Sequence, residues 1–318
     1  MKKPDKPQDE DARIKALHSL NILDTPAEER FDRLTRLAKR MFGVPIALVS
    51  LVDENRQWFK SCDGLDASET PREISFCGHA ILDNGLFIVN DAASDARFAD
   101  NPLVLNEPNI RFYAGYPLKH HDGSPLGTLC IIDREPRSLS EDDIEAFYDL
   151  AQLAEHELAA FQLATLDELT GISNRRGFTT LAQNSLSLCA RQGMQATLAF
   201  IDLNDFKMIN DRFGHAEGDM ALIAFANQMK NTFRDSDIFA RLGGDEFVVL
   251  FTNTSIKFAN EIITRFRKSI DAYNKEAGRG YDISFSEGIV EVKCDKNSSM
   301  ESLLNQADTL MYEQKPEK

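Results

Sequence analysis

Cysteine is scarce in this sequence of 318 residues, and its five copies lie far apart. None of them belongs to a Cys-x-x-Cys pair, and their number is odd; they are Cys62, Cys77, Cys130, Cys189 and Cys294. This spacing argues against a zinc site and against a disulfide framework. It favours reduced thiols, so we expect a cytoplasmic protein.

Long apolar runs and an excess of positive charge are also missing. The longest apolar stretch, residues 44–52, contains a proline and a serine and is far shorter than the roughly 18 residues of a membrane-spanning helix. The polar N-terminus has no apolar segment behind its lysines, so no signal peptide is expected. Because 51 acidic residues outnumber 36 basic ones, we expect neither nucleic acid nor a membrane as a partner.

What is present is an ordinary globular composition, with 42% hydrophobic and 27% charged residues and enough length for two domains. The first unit starts with two predicted helices, at residues 12–23 and 26–42. Strands follow at 46–52, 116–120 and 126–132, the last two flanking the turn dipeptide Asp122-Gly123. Helices followed by antiparallel strands predict an α+β fold with helices on one side of a sheet.

A long helix is predicted to link this unit to the next, over residues 140–166, with Ser140 as its N-cap and an acidic first turn. Small or apolar residues recur along it in steps of three and four: Ile144, Phe147, Ala151, Ala154, Leu158 and Phe161. The stripe fits a helix packed on its own domain, and it equally fits a parallel dimer helix between two copies. Both alternatives stay open at this point.

From residue 167 onward, strands and helices alternate, which predicts an α/β sandwich with a central sheet. Asp202 ends the apolar strand predicted at 197–203, and the carboxyl end of a strand is a usual place for a metal or ligand contact. Farther along, Gly243 and Gly244 interrupt what would otherwise be one strand. They predict a hairpin tip without side chains, which a phosphate can approach closely.

Two acids, Asp245 and Glu246, follow these glycines directly. Bare carboxylates would repel a phosphate, and they make chemical sense once Mg²⁺ lies between them and it. Asp202 and Asp245 could then hold one or two Mg²⁺ ions, with Mn²⁺ as the alternative, while Lys207 supplies the positive charge that phosphoryl transfer needs.

The amide of Asn210 and the carboxylate of Asp219 suit the edge of guanine. Taken together, these motifs make the second unit similar to a GGDEF domain, the diguanylate cyclase family. The matching segments are Asp167-Glu168-Leu169-Thr170-Gly171, Asn174-Arg175-Arg176, Asp202, Phe206-Lys207, Asn210-Asp211, Gly214-His215, Gly218-Asp219, residues 243–247, Ala307-Asp308, Leu310, Tyr312 and Lys315. The resemblance implies a fold related to nucleotidyl cyclases and the condensation of two GTP into cyclic di-GMP with release of pyrophosphate.

The resemblance also implies a role for each matched residue. Asp202, the carbonyl of Leu203 and Asp245 would bind the metals, with help from Glu246. Asp245 would accept the proton of the attacking 3′-hydroxyl, and Lys207 would stabilise the transition state. Asp245, Lys207 and Glu246 are thus the expected catalytic residues.

Substrate contacts and an inhibitory site are implied in the same way. The residues expected to contact GTP are Asn210, His215 and Asp219 at the base, and Asn204, Asp205, Phe206, Lys207, Gly243, Gly244 and Lys315 at the phosphates. Arg234 and Asp237 form an Arg-x-x-Asp pattern at the spacing of the family's inhibitory product site. The alternative is an ordinary surface arginine at a helix end; we expect inhibition by cyclic di-GMP, because a guanidinium can grip a guanine edge or a phosphate with two hydrogen bonds.

The first unit resembles a GAF domain, of the type often placed ahead of GGDEF domains. The similarity is carried by residues 20–25, Phe31-Asp32, and residues 44–50, 56–60, 76–80 and 127–130. Cys77 and His79 invite a tetrapyrrole interpretation, but a core cysteine and a packed histidine are the favoured explanation. Sensing of a small molecule and dimerisation without any ligand both stay open.

The sequence therefore predicts a GAF-like domain at residues 12–155, a linker helix at 140–166 and a diguanylate cyclase domain at 167–318. The expected protein is an active, product-inhibited and GAF-regulated cyclase that works as a homodimer, because its product needs two GTP. The alternative is a non-catalytic cyclic di-GMP receptor, although such receptors typically lack a metal-binding acid or the glycines. Nothing in the sequence resembles a phosphodiesterase domain, so an enzyme that also degrades its product is not expected.

Overall fold

The computed structural model describes residues 1–234, 236–293 and 299–314. The chain forms two compact units, Met1–Gln162 and Leu163–Lys318. No helix in the described part of the chain has both the length and the apolar character needed to span a bilayer.

The first unit is built on a six-stranded antiparallel sheet with the strand order β3-β2-β1-β6-β5-β4. Its strands are β1 Ile46–Val52, β2 Arg56–Asp63, β3 Glu69–Pro71, β4 Phe87–Val89, β5 Phe112–Lys119 and β6 Pro125–Asp133. Its helices are α1 Glu10–Ser19, α2 Glu29–Phe42, α3 Phe76–Ala80, α4 Pro102–Leu105 and α5 Glu141–Thr165, with a short 3₁₀ turn at Arg72–Ile74.

The two faces of this sheet carry separate cores, because alternate residues of a strand point to opposite sides. Ala47, Val49 and Leu51 of β1 pack with residues of α1, α2 and α5. Ile46 and Leu48 face the other side, where short α3 and the neighbouring loops cover them. The long helices therefore lie on one side of the sheet, which confirms the α+β prediction.

The apolar stripe of α5 belongs to the first of these cores. Phe147, Ala151, Ala154, Leu158 and Phe161 are all buried there, none more than 4% exposed. The rings of Phe147 and Phe42 of α2 meet edge to face at 5.4 Å. Of the two alternatives that the sequence left open, the structure has the helix packed on its own domain, so this stripe is not available to a second copy.

The second unit is built on a four-stranded antiparallel sheet with the strand order β10-β7-β9-β8. Its strands are β7 Ala196–Leu203, β8 Ile238–Gly243, β9 Glu246–Thr252 and β10 Phe285–Val292. Its helices are α6 Arg175–Gln192, α7 Phe206–Phe213, α8 His215–Thr232, α9 Ile256–Ala277 and α10 Met300–Gln314. Helices α8 and α9 pack on one face and α6 and α10 on the other, which confirms the predicted sandwich around a central sheet.

Candidate active site

Two carboxylates face each other where the central strands of the second sheet end. Asp202, near the end of β7, is paired in register with Glu246, the first residue of β9. Directly opposed residues of antiparallel strands put their side chains on the same side of the sheet. The backbone N–H of Leu203 donates to the carbonyl of Asp245 at 3.1 Å, which holds the turn residue beside the strand end. The structure thus brings together the four residues expected to bind metal.

Negative charge accumulates at this strand end. Burial raises the pKa of Glu246, and the neighbouring carboxylates of Asp308, Asp202 and Asp245 raise it further, while Arg175 opposes the shift. Like charges placed directly opposite each other destabilise a sheet unless something neutralises them.

A divalent cation suits this donor set, since hard cations prefer carboxylate and carbonyl oxygens. Among the described residues, no group of three or more His, Cys, Asp or Glu side chains is arranged as a complete metal site. The Leu203 carbonyl would therefore be needed as a donor beside the acids, together with oxygens of the substrate or of water. With that addition, the residues present fit a magnesium-type ion.

The hairpin between β8 and β9 turns at Gly244-Asp245. Gly243 has φ +150° and Gly244 has φ +53°, conformations that favour glycine. A Cβ built on either glycine would meet nothing within 4 Å, so the outer side of the turn is open. The turn is therefore free of side chains at its two glycines, as the sequence predicts, and a phosphate has room to approach its backbone.

Arg241 stabilises this hairpin through hydrogen bonds that were not predicted from the sequence. Its Nε donates to the carbonyl of Gly244 at 2.9 Å, and its Nη1 donates to both carboxylate oxygens of Asp167 at 3.1 and 3.2 Å. Burial acts to raise the pKa of Asp167, but hydrogen bonds from Thr170 and Arg241 outweigh it and lower that pKa. Asp167, which the sequence analysis assigned only by resemblance to the family, therefore helps to fix the position of the β8–β9 hairpin.

Four of the residues expected at the phosphates, Asn204 to Lys207, lie between the end of β7 and the first turn of α7. Asp205 precedes α7 with φ +52°, and the amides of Phe206 and Lys207 belong to the first turn of that helix, where N–H groups have no partner within the helix. The side chain of Lys207 is exposed. The prediction that the backbone N–H of Asn204 binds phosphate needs correction, because this N–H donates to the backbone carbonyl of Ser284 at 2.8 Å.

The residues expected at guanine come together where α7 meets α8. Asn210 of α7 lies against Gly218 of α8, and a Cβ built on Gly218 would be only 2.1 Å from Asn210 Oδ1. Asp219 follows Gly218 directly, and Asp219 and His215 are both exposed. The role of Gly218, which makes room for the amide, depends on the packing of two helices and was not deducible from the sequence.

Comparisons with known proteins find similarity in both units. The model of the family "Diguanylate cyclase, GGDEF domain" matches residues 164–318, and that of the GAF domain matches residues 26–158. Diguanylate cyclase DgcP of Escherichia coli K12 is 32% identical over 261 residues, which cover 77% of this chain and 75% of that protein. The chain belongs to the diguanylate cyclase family.

One further relative and one solved structure are similar to parts of this chain. A Pseudomonas aeruginosa PAO1 protein named cyclic di-GMP phosphodiesterase PA2567 is 41% identical over 212 residues, which cover 66% of this chain but only 35% of that protein. The coiled coil and GGDEF domain of DgcB from Caulobacter crescentus, solved in complex with c-di-GMP, is 24% identical, with a TM-score of 0.48 and coverage of 53% of this chain and 89% of that one. This chain thus spans about a third of the phosphodiesterase that it resembles.

Arg234 and Asp237, the two residues expected at the inhibitory product site, lie in a tight turn after α8. The carboxylate of Asp237 accepts a hydrogen bond from the backbone N–H of Arg234 at 3.0 Å. Asp237 is buried, and burial raises its pKa, whereas the side chain of Arg234 is exposed. Asp237 therefore shapes the turn, and the guanidinium of Arg234 is what the turn presents to solvent. Lys315, the remaining residue expected at the phosphates, lies outside the described residues.

In the GAF unit of this family member, Cys77 and His79 are both buried in α3. The Nε2 of His79 donates to the backbone carbonyl of Lys2 at 3.1 Å, and its ring meets that of Phe98 edge to face. These contacts match the favoured explanation of a core cysteine and a packed histidine.

Proposed function

We propose that the chain is a diguanylate cyclase that condenses two GTP into cyclic di-GMP and two pyrophosphates. The observation that supports this most is the opposition of Asp202 and Glu246 at a strand end, beside a turn stripped of side chains. A cation would neutralise the opposed carboxylates at this strand end. The adjoining turn has no side chains at its glycines, so it leaves room for a triphosphate.

Asp202, the Leu203 carbonyl and Asp245, with Glu246, would hold one or two divalent cations, Mg²⁺ or Mn²⁺. When bound, the ion supplies positive charge that offsets the triphosphate and makes the attacking 3′-hydroxyl more acidic. Asp245 takes the proton from that hydroxyl as its oxygen forms a bond to the α-phosphorus of the other GTP, and the bond to pyrophosphate breaks.

Base selection is the task of the α7–α8 corner. Asn210 and Asp219 offer one amide and one carboxylate, which match the N1–H, the amino group and the edge acceptor of guanine. Adenine lacks this pattern, so it would leave the amide and the carboxylate without matching partners, and such a mismatch discriminates against ATP. His215, the first residue of α8, would contact the base together with them.

Phosphate binding falls to the backbone around the two turns. The amides of Asp205, Phe206 and Lys207 open α7, and the positive end of a helix attracts a phosphate. Gly243 and Gly244 allow the chain to approach it from the other side. The ammonium of Lys207 stabilises the charge that develops on the transferred group.

The reaction requires two copies of the cyclase domain, because each would bind one GTP and each 3′-hydroxyl attacks the other nucleotide. We therefore place catalysis in a two-fold homodimer whose proximity sets the rate. The GAF domain would regulate that proximity, with or without a small ligand. Product bound at Arg234 would hold the domains apart without entering the active site.

Turnover of GTP by the purified chain with Mg²⁺, followed by mass spectrometry of the product, tests this proposal. Cyclic di-GMP and pyrophosphate in a ratio of one to two are expected, and Asp245→Asn, which keeps the side-chain volume, should make neither. Binding of cyclic di-GMP without GTP turnover would instead identify a receptor. Hydrolysis of cyclic di-GMP, the activity in the name of the P. aeruginosa relative, is not expected.

A further inference from the structure

Two thiols from distant parts of the sequence meet in the GAF unit. Cys77 lies in α3 and Cys130 in β6, and their sulfur atoms are 3.8 Å apart. Both residues are at most 1% exposed. A disulfide bond is about 2.05 Å long, so a small rotation of the side chains and a shift of the short helix α3 would bring the sulfurs into bonding distance.

Polar groups surround this thiol pair in a core that is otherwise apolar. Tyr113 on β5 donates its hydroxyl hydrogen to Cys77 Sγ over 3.2 Å. Ser50 and Thr128 face each other across β1 and β6, and Thr128 lies two residues from Cys130 on the same side of its strand. Their buried hydroxyl oxygens have no hydrogen-bond partner among the described residues. Because orphaned buried hydroxyls are costly, this cluster suits a state that is more polar than two neutral thiols.

The two thiols differ in acidity. Burial acts to raise the pKa of Cys77, but the polar groups of Cys130, Ser50, Thr128 and Tyr113 around it favour the thiolate, outweigh burial and lower that pKa. Burial raises the pKa of Cys130. Cys77 is therefore the thiol that more readily becomes a thiolate, which is the nucleophilic form.

We propose that Cys77 and Cys130 form a redox-active pair that closes into a reversible disulfide when the protein meets a hydroperoxide. The Cys77 thiolate attacks one oxygen of hydrogen peroxide, the O–O bond breaks, and the leaving hydroxide takes a proton to become water. The Cys130 sulfur then attacks the sulfenic acid of Cys77, the S–O bond breaks, and a second water leaves. The two sulfurs lose two electrons in total, and the two peroxide oxygens gain them.

Access to this pair runs through α3, which has only five residues. The N-terminal segment covers the helix, since Pro4 lies against Gly78 and the carbonyl of Lys2 accepts from His79. Small elements of this kind open locally at lower cost than the core of a sheet. A small oxidant such as hydrogen peroxide would reach the pair during a local opening of this kind.

The test treats the full, reduced chain with hydrogen peroxide, and then digests it and maps its disulfides by mass spectrometry. We expect a Cys77–Cys130 peptide, loss of two hydrogen atoms from the intact mass, and full reversal by dithiothreitol. Cys77→Ser and Cys130→Ser should each abolish the bridge. Cys62→Ser and Cys189→Ser, which remove thiols elsewhere, should leave it unchanged.

A comparison with the unfolded chain keeps the test decisive even where a cysteine variant does not fold. In urea the same treatment of the wild-type chain should give mixed pairings, while the folded chain should give Cys77–Cys130 above all others. The proposal is overturned if the folded chain forms no Cys77–Cys130 bridge at any peroxide concentration. It is equally overturned if that bridge forms no faster in the folded chain than in the unfolded one.

Discussion

The side-chain oxygen of Asn210 rests directly over Gly218, at a spot where a Cβ on residue 218 would lie 2.1 Å away. Two consecutive helices meet at this point, and the absence of a side chain on Gly218 lets the amide of Asn210 pack against α8, one residue before Asp219. The proposed guanine site therefore depends on a residue that would not itself touch the base.

Gly218→Ala should raise the KM for GTP roughly tenfold and weaken selection against ATP, with a smaller effect on kcat, because the methyl group displaces Asn210 from its place. Alanine is a better helix former than glycine, so we do not expect lower helix stability to account for the loss. Steady-state kinetics with GTP and with ATP measure the effect. Met220→Ala, on the exposed side of the same helix, is the control. An unchanged KM in Gly218→Ala would place base recognition elsewhere.

Asp202→Asn should stabilise the protein in the absence of divalent cations while destroying activity. The amide keeps the volume of the side chain and removes the like charge opposite Glu246, a change of about 0.2–1 kcal/mol in the free energy of unfolding. The wild-type chain should gain stability when Mg²⁺ is added, and the variant should not. Thermal unfolding with EDTA and with Mg²⁺ measures both effects. A lower Tm of the variant in EDTA would contradict the account of the acidic strand end.

Arg234→Ala should relieve inhibition by cyclic di-GMP and leave the initial rate nearly unchanged, because the exposed guanidinium is outside the reacting cluster. Initial rates at increasing concentrations of added product measure this. Arg176→Ala, at another exposed arginine of the same unit, should stay inhibited. Inhibition that persists in Arg234→Ala would show that product binds at a different place.

The burial of the α5 stripe changes which substitutions probe dimerisation. Phe147→Glu and Leu158→Glu should unfold the GAF unit, because each buries a charge in its core. Leu153 lies on the same helix and is 50% exposed, so it is outside that core. Leu153→Glu should therefore keep the fold, lower the rate in dilute protein and lose less at high concentration. A loss that does not depend on concentration would exclude a dimer contact at this face.

The sequence predicted best what local patterns determine. The apolar run of β1, interrupted only by Ser50, predicted the strand at Ile46–Val52, and two glycines predicted the β8–β9 turn. It did not predict α7, because this helix has only eight residues and begins three positions after the end of β7. The apolar stripe of α5 showed that one face of the helix is covered, but a stripe alone does not reveal what covers it.

Contacts between distant segments were also beyond local patterns. The backbone N–H of Asn204 donates to the carbonyl of Ser284, which lies some eighty positions away, directly before the strand β10 that pairs with β7. The contact of Arg241 with Asp167 likewise joins the β8–β9 hairpin to a segment 74 positions earlier in the chain. Such contacts depend on which strands pair in the sheet. The sequence motifs alone do not reveal that pairing.

The most direct test of the central claim is turnover of GTP by the purified chain with Mg²⁺, compared between the wild type and Asp245→Asn, with the products identified by mass. The wild type should yield cyclic di-GMP and pyrophosphate, and the variant, although folded, should yield neither. A folded wild-type chain that binds cyclic di-GMP but makes none from GTP would contradict the account.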